Sequence, residues 1–357
     1  MPGKNSLWLI GVAVLGAAGA GRAEAQVIGS YSNFDCFNDT GEPAEGFEID
    51  VEDVWPSDVT RVFPDNFSPG QPYIRYATPD RNALQPVLFP DGHTGVRIVY
   101  AASYVGGRWV AQWGSSVMPG TTTPMGDATP FVSRPTYTTG DSCWTLGARA
   151  AYPTSGCEHF GFSLAPNVVP GKITYHWLLP DPNNPGSLTP FGSEASLPPS
   201  PILYQNPPAQ GQPQQVHAEA HAPEQPENEP VWGDAYWVKT YTSFAEAPAE
   251  LDRLQKNLVP MKNRRKQPVR ITWSLLQRAP AGEPGEKEET EDEVIPAGKV
   301  EVTKRYEYFA YNGAYEPESH EAMCGGDNSC DRPVIGLNGR YERGKYLGAH
   351  MNAYNVE

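Results

Sequence analysis

In the run Phe47-Glu-Ile-Asp-Val-Glu52, the apolar Phe47, Ile49 and Val51 alternate with the acidic Glu48, Asp50 and Glu52. A period of two belongs to a strand with one buried face; a helix would need a period near 3.6. The same pattern recurs on both sides. Val96-Arg-Ile-Val-Tyr100 leads through Tyr104 to Gly106-Gly107, and Trp109, Ala111 and Trp113 return on one face, which predicts a hairpin. Ile173, Tyr175 and Trp177 share a face, a turn follows over Pro182-Asn-Asn-Pro-Gly186, and Ile202-Leu-Tyr204 is a further short strand. Beyond residue 231, strands are expected at Trp237 to Thr242, through Val269, Ile271, Trp273 and Leu275, at Val300 to Tyr311 and at Tyr346 to Val356. Leu251, Leu254 and Leu258 have helical spacing and predict one short helix.

Between these groups the composition changes. Residues 206–230 are rich in Pro, Gln, Glu and Ala and read as a linker. Residues 283–293 hold seven acidic side chains and one Lys, the pattern of a solvated loop. The sequence therefore predicts an all-β protein: two Ig-like β-sandwich domains, 26–205 and 231–357, joined by the Pro-rich linker, with the acidic loop in the second. The 18 Tyr, 9 Trp and 12 Phe supply cores, and the 37 Pro and 35 Gly supply turns.

The first 25 residues set the compartment. Lys4 precedes an apolar run from Leu7 to Ala20, and Ala23-Glu-Ala25 follows. This is the charged, apolar and small-residue order of a signal peptide, with Gln26 as the expected mature start. No second apolar stretch is long enough to span a membrane. The whole chain carries a net charge of −15, and removing Lys4, Arg22 and Glu24 takes away +1 to give −16. Such acidity argues against nucleic acid and anionic membrane as partners. The product is expected to be secreted, extracellular or periplasmic, and soluble after cleavage.

Export makes disulfides the default for the five cysteines. Cys324 and Cys330 flank a flexible loop and are expected to bridge, and Cys143 and Cys157 to clamp a hairpin. Cys36 is then the odd thiol, unpaired or intermolecular, although it could instead take either partner. Cys157 and His159 lie two apart, and with His93 and His176 they outline a copper or zinc site. No CxxC pair or zinc-finger spacing accompanies them. Ca²⁺ is the alternative ion, held by Glu48, Asp50 and Glu52 or by Asp327 and Asp331; no cofactor is otherwise indicated.

Other motifs carry less. His217-Ala-Glu-Ala-His221 is not H-E-x-x-H, because its Glu stands midway between the His residues. Gly140-Asp-Ser-Cys143 lacks the Gly-Gly that follows the nucleophile of trypsin-like enzymes, and no G-x-S-x-G elbow is present. A glycosidase needs two facing carboxylates, and nothing in the sequence selects a pair. The one basic cluster, Lys262-Asn-Arg-Arg-Lys266, reads as a turn. Tyr306, Tyr308, Phe309 and Tyr311 crowd one strand, so one set of rings is core and the other core, covered, or a stacking platform for a glycan or a partner protein.

The pattern with Trp273 and Tyr306/Tyr308 resembles immunoglobulin and fibronectin type III modules, over about the last third of the chain. Asn33-Phe-Asp-Cys-Phe-Asn-Asp-Thr-Gly41 and Gly140-Asp-Ser-Cys-Trp-Thr-Leu-Gly147 are similar to exported bacterial proteins of unassigned function; that resemblance implies export and no activity. The function expected is non-enzymatic binding or scaffolding at the cell surface or in extracellular matrix. The alternatives are a carbohydrate-binding module, a metal or redox protein using Cys157 and His159, and a hydrolase without a recognisable motif.

Overall fold

The computed structural model describes residues 26–27, 31–63, 76–110, 157–192, 194–206, 215–222, 230–246, 270–280, 289–299, 301–324, 333 and 344–355. The described residues are β-strands in antiparallel sheets with a single 3-10 turn, Arg81–Ala83. No helix among them is long and apolar enough to cross a membrane.

The opening run forms β3 (Gly46–Glu52), the centre of a five-stranded sheet. Its neighbours are β6 (Thr94–Ala101) and β10 (Ile173–Pro180), with β5 (Pro86–Leu88) and β11 (Leu188–Pro190) at the edges. In register, Phe47 faces Tyr100 and Trp177, and Ile49 faces Ile98 and Tyr175. The apolar alternation of three strands thus makes one continuous face. The Gly106-Gly107 hairpin also forms, joining β7 (Ser103–Val105) to β8 (Arg108–Val110), with φ of 61° and 85° at the two glycines. Left-handed backbone of this kind is what Gly permits.

A seven-stranded sheet packs on that apolar face. Its order is β15 (Arg270–Leu276), β14 (Tyr236–Ala245), β17 (Glu301–Ala310), β18 (Tyr346–Asn355), β2 (Tyr31–Phe37), β9 (Cys157–Leu164) and β4 (Val59–Phe63). Aromatic rings fill the seam. Phe47 stacks on Phe160 at 4.1 Å, stands edge-on to Trp177 at 4.8 Å, and is bridged to Tyr175 through Phe34. Trp177 Nε1 donates to the Phe37 carbonyl at 3.0 Å, and the Tyr100 hydroxyl lies 2.9 Å from the carbonyls of Phe63 and Gly161. Each buried ring contributes about 1.5–3 kcal/mol, and the polar tips are satisfied by backbone of the opposite sheet.

The expected split into two domains does not match this topology. The seven-stranded sheet takes β2, β4 and β9 from before residue 205 and β14, β15, β17 and β18 from after residue 231. β18 pairs directly with β2, from Gly348↔Cys36 to Ala353↔Tyr31. One core contains Phe47, Ile98 and Phe160 together with Val238, Leu276, Tyr306 and Tyr308. Periodicity locates strands without saying which ones pair, and open strand edges select partners regardless of sequence distance.

Two further expectations are corrected. The 206–230 segment contains β13 (Gln215–Ala220), in which Val216, Ala218 and Ala220 are buried. The 283–293 segment runs into β16 (Glu289–Val294). These strands join β1 (Gln26–Val27) and β12 (Ile202–Asn206) in a four-stranded sheet of order β1-β12-β13-β16. Small Ala side chains kept the apolar period of β13 inconspicuous. β16 is an edge strand, where charge is tolerated and guards against edge pairing. The Leu251 to Leu258 helix and the Lys262 to Lys266 cluster lie outside the described residues.

Candidate functional site

The three sheets meet around a cavity of about 280 Å³. The start of β10 forms one wall through Lys172, Ile173, Thr174 and Tyr175, and the segment Glu194 to Ile202 forms another. His221 and Ala222, just past β13, and Arg278, just past β15, close it.

The 194–202 wall is fastened from several directions. Ala195 N donates to Tyr175 O at 2.8 Å, Ser196 N donates to Asp39 Oδ2 at 3.0 Å, and the Ser196 hydroxyl donates to the same carboxylate. Two side chains of β18 reach it from behind. Asn352 Nδ2 donates to Pro201 O at 3.0 Å, and His350 Nε2 donates to Pro198 O at 2.7 Å. His350 Nδ1 is buried without a hydrogen-bond partner. Protonation would put a charge on that bare nitrogen, and burial holds the His350 pKa down to about 3 despite the Pro198 carbonyl. The imidazole is a neutral strut at ordinary pH.

The lining has a clear polarity. Lys172, His221 and Arg278 are basic, and Glu194 is the one acid, 3.3 Å from Lys172 Nζ. His221 Nε2 lies 3.8 Å from Glu219 Oε2. The Tyr175 hydroxyl accepts from Ser200 N at 3.2 Å, and burial pushes its pKa up so that it keeps its proton. Ile173, Leu197, Pro199 and Ile202 supply apolar surface. Convergent donors and cations over an apolar floor are the ingredients of a small-molecule site.

Polar groups also gather on the faces turned away from the core. On the five-stranded sheet, Arg97 grips Asp50 with two hydrogen bonds of 2.8 and 2.7 Å and reaches Glu48 Oε2 at 3.3 Å. Glu48 Oε1 is buried without a partner. Burial, reinforced by Asp50 and partly opposed by Arg97, pushes the Glu48 pKa up to about 7. On the seven-stranded sheet, Asp35 and His159 Nδ1 are 2.6 Å apart. Arg305 Nε donates to Glu307 Oε1 at 3.0 Å, the Tyr241 hydroxyl donates to Glu307 Oε2 at 3.2 Å, and Arg305 Nη2 donates to the Tyr346 hydroxyl at 3.4 Å. Burial works against the Arg305 charge, and Tyr346, Glu307 and Asp35 more than offset it, so its pKa stands above the ordinary value.

The residues singled out in the sequence are mostly dispersed. His93 is exposed and pairs with Asp53 at 3.2 Å, His159 is buried against Asp35, and His176 lies opposite Glu48 on the five-stranded sheet. Cys157 opens β9, opposite Phe37. Among the described residues, no group of three or more His, Cys, Asp or Glu is placed to hold a metal ion. Cys36 is a thiol buried in β2, at 1 % exposure. Cys324 is disulfide-bonded; Cys143, Cys330 and the Gly140 to Cys143 motif lie outside the described residues, as do Asp327 and Asp331. Tyr306, Tyr308 and Phe309 are at most 2 % exposed and therefore core, which denies them to a stacking ligand. Tyr311 is partly exposed, its hydroxyl donating to Met323 O at 2.6 Å.

His217, Glu219 and His221 do sit at alternate positions along and just past β13, with His217 Nε2 2.9 Å from Glu219 Oε1. Sequence reasoning placed them in a spacer. It also missed Lys172, Glu194 and Arg278, isolated polar residues at strand ends whose convergence exists only after three sheets assemble. No protein-family model matches the chain, and comparison with curated proteins and with solved structures gave no match.

Proposed function

We propose that this is an exported, non-enzymatic binding protein of the cell surface or extracellular matrix, built as an Ig-like sandwich that holds a small ligand or a glycan terminus. The observation that carries the proposal is the cavity between the sheets. It is lined by cations, hydroxyls and apolar side chains, and its wall is fastened by His350, Asn352 and Asp39 rather than left to a loop. A fastened wall reduces the ordering cost of binding. A thermal-shift screen of the mature protein against soluble mono- and oligosaccharides tests it. A saturable rise in melting temperature with at least one compound is expected, and no rise with any of them would count against a ligand-binding role.

A hydrolase is the second reading, favoured by Glu48. A carboxyl half-protonated near pH 7, beside an arginine-held Asp50, has the property a general acid requires. Turnover of chromogenic glycosides that disappears in Glu48→Gln would support it. Equal background in both proteins would remove it.

A further inference from the structure

We propose that Asn312-Gly313, just past β17, is a self-modifying site at which the chain converts its own asparagine to isoaspartate and aspartate, without an enzyme and independently of the binding role. The step is an intramolecular attack. The Gly313 backbone nitrogen gives up its proton and bonds to the side-chain carbonyl carbon of Asn312, and the Asn312 amide nitrogen takes up a proton and leaves as ammonia. Water then opens the five-membered succinimide. Opening at the side-chain carbonyl gives aspartate; opening at the main-chain carbonyl gives isoaspartate, in which the backbone runs through the side-chain carbon. Water is the one co-reactant, and nothing is oxidised or reduced.

Three observations meet at this pair. Asn312, Gly313 and Ala314 are all exposed, so water reaches them. Among the described residues, none accepts a hydrogen bond from Gly313 N, and none bonds the Asn312 amide. A nitrogen committed to a strand ladder is not available for attack; this one is uncommitted. By contrast, the Asn38 amide donates to Glu42 O at 2.8 Å, the Asn184 amide donates to Ser187 Oγ at 2.6 Å, and neither residue precedes a glycine. The third observation is that Gly313 is required. The Tyr311 hydroxyl folds back over it, 2.6 Å from Met323 O and 3.2 Å from Ala314 O, and a Cβ at residue 313 would collide with that hydroxyl. The missing Cβ also removes the bulk that hinders ring closure after other residues. The turn is anchored on both sides: Tyr311 N donates to Ala235 O at 3.0 Å, and Met323 N donates to Ala314 O at 2.9 Å. Isoaspartate inserts one more carbon into the main chain between these anchors, about 1.5 Å of extra length, so one anchor must give. Aspartate adds charge without length.

Peptide mapping by mass spectrometry of the full mature protein, aged at pH 8 and at pH 5, tests the proposal. Mapping separates Asn312 from Asn338-Gly339, the other Asn-Gly pair in the sequence. Conversion at Asn312 is expected to run at least tenfold faster at pH 8, where Gly313 N loses its proton more readily. Isoaspartate should outweigh aspartate, and the rate should approach that of the same protein in urea. Asn312→Gln, an exposed change that leaves the fold alone, should abolish conversion at this position. Amide hydrogen exchange at Met323 should quicken in the aged protein and stay unchanged in Asn312→Asp. An Asn312 that stays intact in the folded protein while it converts in urea would overturn the site. Conversion with no change in Met323 exchange would overturn the loosening of the turn.

Discussion

The two sheets treat charge on their outward faces in opposite ways. On the five-stranded sheet, Arg97 is 36 % exposed, and one arginine serves two carboxylates that are not equally satisfied, since Glu48 keeps an unpartnered oxygen. On the seven-stranded sheet, Arg305 and Glu307 are at most 1 % exposed and are knitted to Tyr241 and Tyr346. The first arrangement is an adjustable one: water is near, and protonation relieves whatever the arginine does not. The second has no such relief. Its charges persist only while they hold one another, because a buried ion that loses its partner cannot be solvated.

The largest effect should come from breaking the Arg305–Glu307 pair. Arg305→Met takes from the buried Glu307 the guanidinium that donates to it and should destabilise the protein by about 3–5 kcal/mol in chemical denaturation. Arg305→Met combined with Glu307→Met should recover much of the loss, since both charges are then gone. If the double variant is as unstable as the single one, packing rather than charge governs this face.

Between the sheets stands His350, which sharpens the comparison by titrating in the opposite direction from Glu48. Its folded pKa near 3 lies below the unfolded value of about 6.5, so the unfolded chain takes up the proton first. Stability is complete above the unfolded value and falls as pH drops toward 3. By pH 5 the loss from this group is about 2 kcal/mol. Denaturation midpoints measured from pH 7 to pH 4 should decline, and the decline should be shallower in His350→Asn.

Glu48 gives a smaller effect with the reverse sign. Its folded pKa of about 7 lies above the ordinary 4.5, so the folded state holds the proton more tightly. Its contribution is complete below 4.5 and is lost as pH rises through 7. Glu48→Gln should therefore stabilise the protein at pH 7 and above by about 1 kcal/mol after solvent screening, and have little effect at pH 4. Destabilisation at pH 8 would show that the ionised carboxylate is needed by Arg97.

Much of the strand content was legible in the sequence, because burial on one face writes a period of two into β3, β6 and β10. β13 was harder: Ala218 and Ala220 bury well yet contribute little to an apolar pattern, and the surrounding Pro and Gln dominated the composition. β16 was hidden by its charge, which an edge strand tolerates. The pairing of β2 with β18 has no local signal. The same reason governs the cavity. Lys172, Glu194, His221 and Arg278 belong to four separate segments, and each alone is an ordinary polar residue beside a strand. The aromatic strand was ambiguous because β17 is covered on both faces, so Tyr306 and Tyr308 serve one core and Phe309 another.

The pairing of β2 with β18 also imposes a schedule. β2 comes early in the sequence, and one of its two edges stays open until residues 346–355 arrive. The aromatic seam can gather earlier, but the seven-stranded sheet is discontinuous until that last strand is laid in. Closing so long a loop is slow, and an exposed strand edge in the meantime invites pairing with another chain. The seven-stranded sheet is therefore expected to close late, after residues 346–355 have emerged, and to depend while waiting on whatever keeps nascent edges apart.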